Sequence, residues 1–250
     1  PLPMTQAGLD ESAYACGRGA EIALALADLL PPSGSTVEGG NLVLVGHSLG
    51  TVGASLAALA LPPERRSRAW LVLESPAFGT GSEEALVKLP RWPLWRLKLL
   101  VRFLPGLLRQ VVYRRRFWER GLRTAAGPRG DVEAQLVTDY RWPSLVECWD
   151  RGLARFVATR LHGPQEEVGL AARLQAACVD DGLRVLVVLG DGDPLIPEAS
   201  ARRLAAALGA EVVSLPTGHV PHEQQPEAFV EAVARFVRRG SRRSLHATAK

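Results

Sequence analysis

The most constraining feature of the sequence is a Gly-x-Ser-x-Gly pentapeptide at residues 46–50, which lies between two apolar segments. The run before it, residues 42–45, is short and wholly apolar, as is typical of a buried parallel strand. The segment after it, residues 51–61, is rich in Ala and Leu and is predicted to form a helix that ends at Pro62. A strand joined to a helix by so short a link requires a sharp turn, with Ser48 at its tip.

This turn would give Ser48 the surroundings of a nucleophile. Gly46 and Gly50 are expected to be necessary because a Cβ at either position would clash with the crowded strand and helix. Backbone N–H groups at a helix N-terminus can stabilise an oxyanion, and the N–H of Leu49 is the expected first donor. The alternative is a structural serine in a glycine-rich turn.

Strands and helices continue to alternate along the rest of the chain. Further apolar runs are predicted to be strands, and they lie at residues 69–73, 184–189 and 211–215. Helical patterns lie at residues 10–30, 198–208 and 224–238. This order predicts an α/β fold with a mostly parallel sheet flanked by helices.

About a hundred residues, 79–181, separate the second and third predicted strands and have no strand pattern. A loop of this length without secondary structure is not expected inside a compact domain. We therefore predict a helical cap that is inserted over the strand ends. The core of the domain would consist of residues 1–78 and 182–240, and the basic tail at 241–250 is expected to be disordered.

The predicted cap is strongly basic. Residues 88–123 contain eleven Lys or Arg and one acid, Glu119, although the net charge of the whole chain is only +4. Aromatic, aliphatic and basic residues interleave here, which fits a cap over the active site or a peripheral contact with anionic lipid. No nucleic-acid-binding motif accompanies the basic residues, and no apolar run reaches the ~18 residues of a membrane-spanning helix.

Two later loops contain the acid and the base that an activated serine needs. The third predicted strand leads into Gly190-Asp191-Gly192-Asp193, and the fourth leads into Pro216-Thr217-Gly218-His219. The carboxyl ends of parallel strands meet at one edge of the sheet, which is also the edge of Ser48. The order Ser, Asp, His along the chain is that of a catalytic triad on this kind of sheet.

With these features, the chain resembles α/β-hydrolase-fold proteins along its whole length. Residues 218–223 and 225–227 (GHVPHE and QPE) resemble the histidine loop and final helix of that family. Residues 137–143 and 148–153 (VTDYRWP and CWDRGL) resemble the cap of plant and algal α/β hydrolases of the pheophytinase-like, plastid-associated kind. The resemblance implies a partial α/β-hydrolase fold and a chloroplast location.

The resemblance also assigns the acid and the base. It implies that Asp193 is the acid, and that Asp191 is the alternative, at a position where the family often has a structural acid. It implies that His219 is the base, and His222 is the alternative, nearer the rim of the site.

The remaining histidines and the cysteines are expected to have no catalytic role. His47 lies inside the turn and His162 lies in the cap without a visible partner. Cys16, Cys148 and Cys178 are few and far apart, so we predict neither a disulfide framework nor a zinc site. They fit a reducing, intracellular compartment, and no metal or cofactor is predicted.

The sequence thus predicts a serine hydrolase that cleaves a carboxylic ester of an apolar or lipid-like acid through an acyl-enzyme. In this mechanism His219 takes the proton of Ser48, and Asp193 orients the imidazole. Thioesterase and acyltransferase reactions use the same triad, so both remain alternatives.

One part of the family pattern is missing. About 40 residues precede the strand at 42–45, and they supply neither the earlier strands of the family nor its His-Gly oxyanion loop. We therefore expect this strand to lie at an edge of the sheet and the chain to be a piece of a longer protein. Loss of one oxyanion donor costs roughly 10²–10³ in rate. The alternative function is therefore a weakly active or inactive remnant that binds a ligand or partner through the cap.

Overall fold

The computed structural model of the chain describes residues 11–29, 42–79, 93–162 and 166–247. The strands are β1 (Leu42–His47), β2 (Ala69–Glu74), β3 (Arg184–Gly190) and β4 (Glu211–Leu215). The helices are α1 (Cys16–Leu29), α2 (Gly50–Ala60), α3 (Pro63–Arg66), α4 (Leu94–Val112), α5 (Arg115–Ala126), α6 (Ala134–Arg141), α7 (Trp149–His162), α8 (Leu170–Asp180), α9 (Glu198–Leu208), α10 (Pro221–Gln224) and α11 (Pro226–Ala247). Short 3₁₀ helices lie at Glu11–Tyr14, Gly127–Arg129 and Trp142–Leu145.

The four strands form one parallel sheet in the order β1-β2-β3-β4. All six residues of β2 are buried, as are six of the seven residues of β3. Strands that are covered on both faces have no polar side to present to water, which explains their continuous apolar sequences. The predicted α/β fold with a parallel sheet is confirmed.

Side chains that alternate along β2 build a core on each face of the sheet. Leu71 and Leu73 lie in the core that α2, α8 and α9 complete. Trp70 and Val72 point to the other face, where Phe236 of α11 packs against them. This alternation follows from the two-residue period of a strand, and it fixes the register between the sheet and its helices.

Strand β1 lies at one end of the sheet, as the sequence led us to expect. Leu44 is buried in the core on the side of α2. Val43 and Val45 point to the opposite face, and they are 37% and 50% exposed. That face is covered by α11 over β3 and β4 but not over β1, within the part of the chain that the structure describes.

The described residues between β2 and β3 are helical, as predicted, but one boundary of the predicted cap is wrong. Helix α8 lies within residues 79–181, yet its Leu170 and Leu174 are buried in the core beside the sheet. Its apolar face packs on α2 and α9, so α8 is a layer of the α/β core. We call helices α4 to α7 the insertion, within which α4 packs along α7.

Two other expectations about helix ends are corrected. The first helix begins at Cys16 after the turn Glu11–Tyr14, and not at residue 10, which is outside the described residues. The final helix begins at Pro226 and continues to Ala247. Residues 241–247 are therefore helical where a disordered tail was expected, because the helix continues past its apolar face, and 248–250 are not described.

None of the helices that the structure describes has both the length and the apolar character needed to cross a bilayer.

Candidate active site

Ser48 lies on a strained turn between β1 and α2. Its φ of +50° is in the left-handed region, which residues with a side chain rarely adopt. The backbone N–H of Ser48 donates to the carbonyl of Glu74 at 2.9 Å, which ties the turn to the end of β2. This hydrogen bond to β2 therefore stabilises the strained backbone at Ser48. The strained conformation exposes the serine side chain at the carboxyl edge of the sheet.

The two glycines of the turn are not equivalent. A Cβ on Gly46 would lie 2.6 Å from the carbonyl oxygen of Gly50 and 2.7 Å from the Cα of Thr51, so only glycine fits. A Cβ on Gly50 would meet no atom within 4 Å. The prediction of a clash at Gly50 is therefore wrong. Gly50 is the first residue of α2, and its Cβ would point into open space.

The structure brings together three of the candidate side chains. His219 Nε2 lies 2.9 Å from Ser48 Oγ, and His219 Nδ1 lies 2.9 Å from Asp193 Oδ2. The side chains of His219 and Asp193 are only 7% and 2% exposed. In this arrangement Nδ1–H donates to the carboxylate, which leaves Nε2 free to accept the serine proton.

Asp193 is held in place by its own loop. Its Oδ1 accepts hydrogen bonds from the backbone N–H groups of Leu195 and Ile196 at 2.8 and 2.9 Å. Burial works to raise the pKa of Asp193, but the hydrogen bonds from His219 and these two N–H groups outweigh it and leave the pKa lowered. Asp193 is thus an anion at neutral pH, whereas Asp191 lies exposed two residues before it.

His47 supports His219 without joining the hydrogen bonds between Ser48, His219 and Asp193. Its Nε2–H donates to the backbone carbonyl of His219 at 2.8 Å, and the two rings lie 4.9 Å apart. Burial lowers the pKa of His47, so the ring is neutral and carries its proton on Nε2. His162 lies at the end of α7, and its side chain is outside the described residues.

His222 has a different partner from the one expected of a base. Its Nδ1 lies 2.8 Å from Glu74 Oε1, and its backbone N–H donates to the same oxygen at 2.9 Å. The Glu74 side chain is 2% exposed and the His222 side chain is 32% exposed, so the carboxylate is shielded from water while the imidazole keeps partial access to it. The hydrogen bond to Glu74 raises the pKa of His222 against the opposing effect of burial, which favours the charged imidazolium.

The histidine loop is also fixed by the end of α5. The backbone N–H of His219 donates to the carbonyl of Ala125 at 2.7 Å. Gln224 accepts a hydrogen bond from the N–H of Gly218 at 2.7 Å and donates to the carbonyl of Ala126 at 3.1 Å. A Cβ on Gly218 would lie 2.4 Å from the Ala125 oxygen, so the two segments approach too closely for a side chain.

Two residues that organise this site, Glu74 and Gln224, are not among those predicted from the sequence. Glu74 could have been found, because it is the one charged residue at the carboxyl end of an otherwise apolar strand. Gln224 carries no comparable signal, because its role depends on where the insertion meets the histidine loop. The expected oxyanion donor, Leu49, has helical backbone angles just before α2, and its N–H donates to no atom of the described residues.

No group of three or more His, Cys, Asp or Glu side chains that could hold a metal ion occurs in the part of the chain that the structure describes.

Comparison with known proteins gives a family and a fold. The model of the alpha/beta hydrolase family matches residues 7–232. Similar solved structures include a serine hydrolase involved in carbazole degradation (CarC enzyme), which is 13% identical with a TM-score of 0.56, over 95% of this chain and 74% of that chain. Est816, an N-acyl homoserine lactone degrading enzyme, is 21% identical with a TM-score of 0.55, over 89% and 75%. A carboxylesterase from the thaumarchaeon Nitrososphaera gargenis is 13% identical with a TM-score of 0.57, over 96% and 76%. At such identities the likeness shows the fold, and no curated protein matches the chain.

The raised pKa of His222 gives a prediction about stability. A histidine whose pKa is raised by folding contributes its full stabilisation below its ordinary value of 6.5, and this is lost as the pH rises through the folded value. In His222→Gln the amide can still donate to Glu74 but cannot carry charge. We expect the variant to lose about 1 kcal/mol in free energy of unfolding near pH 5.5 and much less near pH 9. Urea denaturation at both pH values measures the difference.

Glu74→Gln provides the matched background for this experiment. His47 and Glu223 also lie against His222, and Tyr140 is hydrogen-bonded to Glu223; all three residues are unchanged in both variants. In the Glu74→Gln background, the excess loss at pH 5.5 over pH 9 should largely disappear, because burial lowers the pKa of His222 and only the charge of Glu223 then raises it. A loss that is independent of pH in the presence of Glu74 would contradict the ion pair.

Proposed function

Because the chain belongs to the alpha/beta hydrolase family, we propose that it is a serine hydrolase that cleaves carboxylic esters through Ser48, His219 and Asp193. The observation that carries the proposal is the continuous pair of 2.9 Å hydrogen bonds from Ser48 through His219 to Asp193. Ser48 is partly exposed, while its two partners are buried, so a substrate can reach the hydroxyl but water has little access to the acid.

The first half of the proposed reaction forms an acyl-enzyme. As the Ser48 oxygen attacks the ester carbonyl, His219 Nε2 takes the hydroxyl proton, and the Asp193 carboxylate stabilises the imidazolium. The tetrahedral oxyanion accepts a hydrogen bond from the backbone N–H of Leu49. The imidazolium then gives its proton to the departing alkoxide, which leaves as an alcohol while the acyl group stays on Ser48.

The second half releases the acid. His219, neutral again, takes a proton from a water molecule as that water attacks the acyl carbonyl. The tetrahedral intermediate collapses, the carboxylic acid leaves, and the proton returns from His219 to the Ser48 oxygen. Asp193 stays ionised throughout because its hydrogen bonds favour the anion.

We further infer that the insertion caps this site and favours an apolar or lipid-like acyl group. Helix α5 ends beside the histidine loop, where Ala125 accepts the hydrogen bond from His219. Leu122 of α5 and Val220 of the loop are both buried near this junction. Among the structural relatives, one is described as an N-acyl homoserine lactone degrading enzyme and another as a carboxylesterase, which is compatible with an acyl substrate.

Within the family, we infer a kinship with the pheophytinase-like hydrolases of plants and algae from the motifs at residues 137–143 and 148–153. Asp150, in the second motif, is buried and forms an ion pair with Arg109 at 2.8 Å, which joins α7 to α4.

From the same resemblance we propose that the protein is located in the chloroplast. The complete gene product fused at its C-terminus to a fluorescent protein should coincide with chlorophyll fluorescence, and a purely cytosolic signal would refute this location.

Covalent labelling tests the nucleophile. A fluorophosphonate probe should label the wild-type chain, and the label should disappear in Ser48→Ala, because the probe reacts only with an activated serine. Ser67→Ala is the matched control, because Ser67 lies at the end of α3 and its hydroxyl donates only to the Glu64 carbonyl.

The rate of hydrolysis of p-nitrophenyl esters should increase several-fold as the acyl chain lengthens, since each buried CH₂ contributes about 0.8 kcal/mol. A folded chain that does not react would favour the inactive remnant.

The two aspartates of the β3 loop give a paired test of the acid. Asp193→Asn should lower kcat by about 10³–10⁴ because the amide favours the wrong tautomer of His219. Asp191→Asn removes one charge from the same loop and should change kcat by no more than roughly a factor of two. Rates of ester hydrolysis, with circular dichroism to verify folding, provide the measurement. A larger loss in Asp191→Asn would reverse the assignment.

A further inference from the structure

Helix α4 has one face packed and one face in water. The packed face lies against α7, where Leu104 and Leu108 are half-buried and Val112 is buried. A helix of this kind normally places polar residues on its outer face. The outer face of α4 does not follow this rule.

Five large apolar side chains project from the outer face of α4, at intervals of four residues. They are Trp95, Leu99, Phe103, Leu107 and Val111, and their exposed fractions range from 41% to 65%. Residues four apart are neighbours on a helix surface, so these side chains form one continuous row along about five turns. A continuous exposed apolar row of this length marks an interaction surface.

Cationic side chains border the apolar row. Exposed Lys and Arg side chains of α4, α5 and the turn between them are Arg96, Lys98, Arg102, Arg114, Arg116, Arg120 and Arg123. Two further arginines are neutralised, Arg109 by Asp150 and Arg115 by Glu119. From Leu94 to Ala126 the sequence has no other acid than Glu119, so this surface is strongly positive.

A groove between α4 and α5 combines both properties. It has a volume of about 540 Å³ and is lined by apolar Leu107, Val111 and Phe117 together with Arg114, Arg116 and Arg120. Guanidinium groups bind phosphate oxygens, whereas the apolar side chains offer space for hydrocarbon. A ligand that fits both must carry an anionic phosphate group beside an apolar chain.

We propose that the α4–α5 face, defined as the five apolar side chains of the row with the seven exposed cationic side chains, docks on a bilayer that contains anionic phospholipid. Helix α4 would lie in the plane of the interface, with its apolar row among the acyl chains and its Lys and Arg at the phosphates. This arrangement removes the apolar row from water and gives the positive side chains their counter-charges.

The charge distribution favours a bilayer over a second copy of the chain. Two copies that met through this face would place the cationic borders of one against those of the other, and the repulsion would oppose the association. Nucleic acid would satisfy the charges but would leave most of the apolar row in water. An anionic bilayer satisfies both kinds of side chain.

Vesicle co-sedimentation tests the proposal. The chain should sediment with phosphatidylcholine vesicles that contain phosphatidylglycerol and remain in the supernatant with phosphatidylcholine alone. Leu99→Ser/Phe103→Ser should lower the partition coefficient by roughly tenfold or more, because it removes apolar area from the row. Arg102→Glu should lower it by about tenfold or more, because it reverses one charge beside the surface.

Helix α8 offers matched controls on a different surface. Val179→Ser removes an exposed apolar side chain and Arg173→Glu reverses an exposed charge there, and neither should change the partition coefficient. Equal losses in the α8 variants would place the binding elsewhere, and a lack of sedimentation would overturn the proposal. So would a dimer in analytical ultracentrifugation that Leu99→Ser/Phe103→Ser dissociates, because the α4–α5 face would then be a contact between copies.

Discussion

The candidate site depends on Glu74, the last residue of β2. Its backbone carbonyl accepts the N–H of Ser48, and its carboxylate accepts two hydrogen bonds from His222. A strained turn of this kind costs about 1–3 kcal/mol and persists only where its neighbours hold it. A buried carboxylate is far more costly unless it is paired and hydrogen-bonded. Glu74 therefore holds Ser48 through its main chain and the segment of His222 through its side chain, which fixes the distance between β1 and that segment.

The histidine loop receives a second constraint from outside the sheet. His47 donates to the carbonyl of His219, and the carbonyl of Ala125 accepts the N–H of the same residue. Both backbone polar groups of the base are thus satisfied, one from β1 and one from the insertion. These bonds fix the backbone of His219. Its imidazole contacts Asp193 with Nδ1 and Ser48 with Nε2. The arrangement of Ser48, His219 and Asp193 depends on the insertion as well as on the strands.

Much of this structure could be predicted from the sequence, because the decisive signals are local. The apolar run before Ser48 and the glycine at Gly46 specify a strand and a turn within ten residues, and the loops after β3 and β4 place an acid and a base at the same edge. The missed features depend on distant contacts. Helix α8 looks like any amphipathic helix of the insertion until its packing against α2 is known. The role of Gln224 cannot be predicted until its contact with the end of α5 is known.

The insertion contacts the histidine loop with one surface and faces water with the other. At the end of α5, Gly218 approaches the carbonyls of Ala125 and Ala126 so closely that no side chain fits, and a close contact of this kind transmits displacement. On its outer side, α4 leaves its apolar row and its cationic borders in water. Because α4 and α5 are consecutive and joined by a short turn, the outer surface and the carbonyl that accepts the hydrogen bond of His219 belong to one run of helices. The insertion therefore combines a tight contact with the histidine loop at one end with an exposed apolar and cationic surface on its outer side.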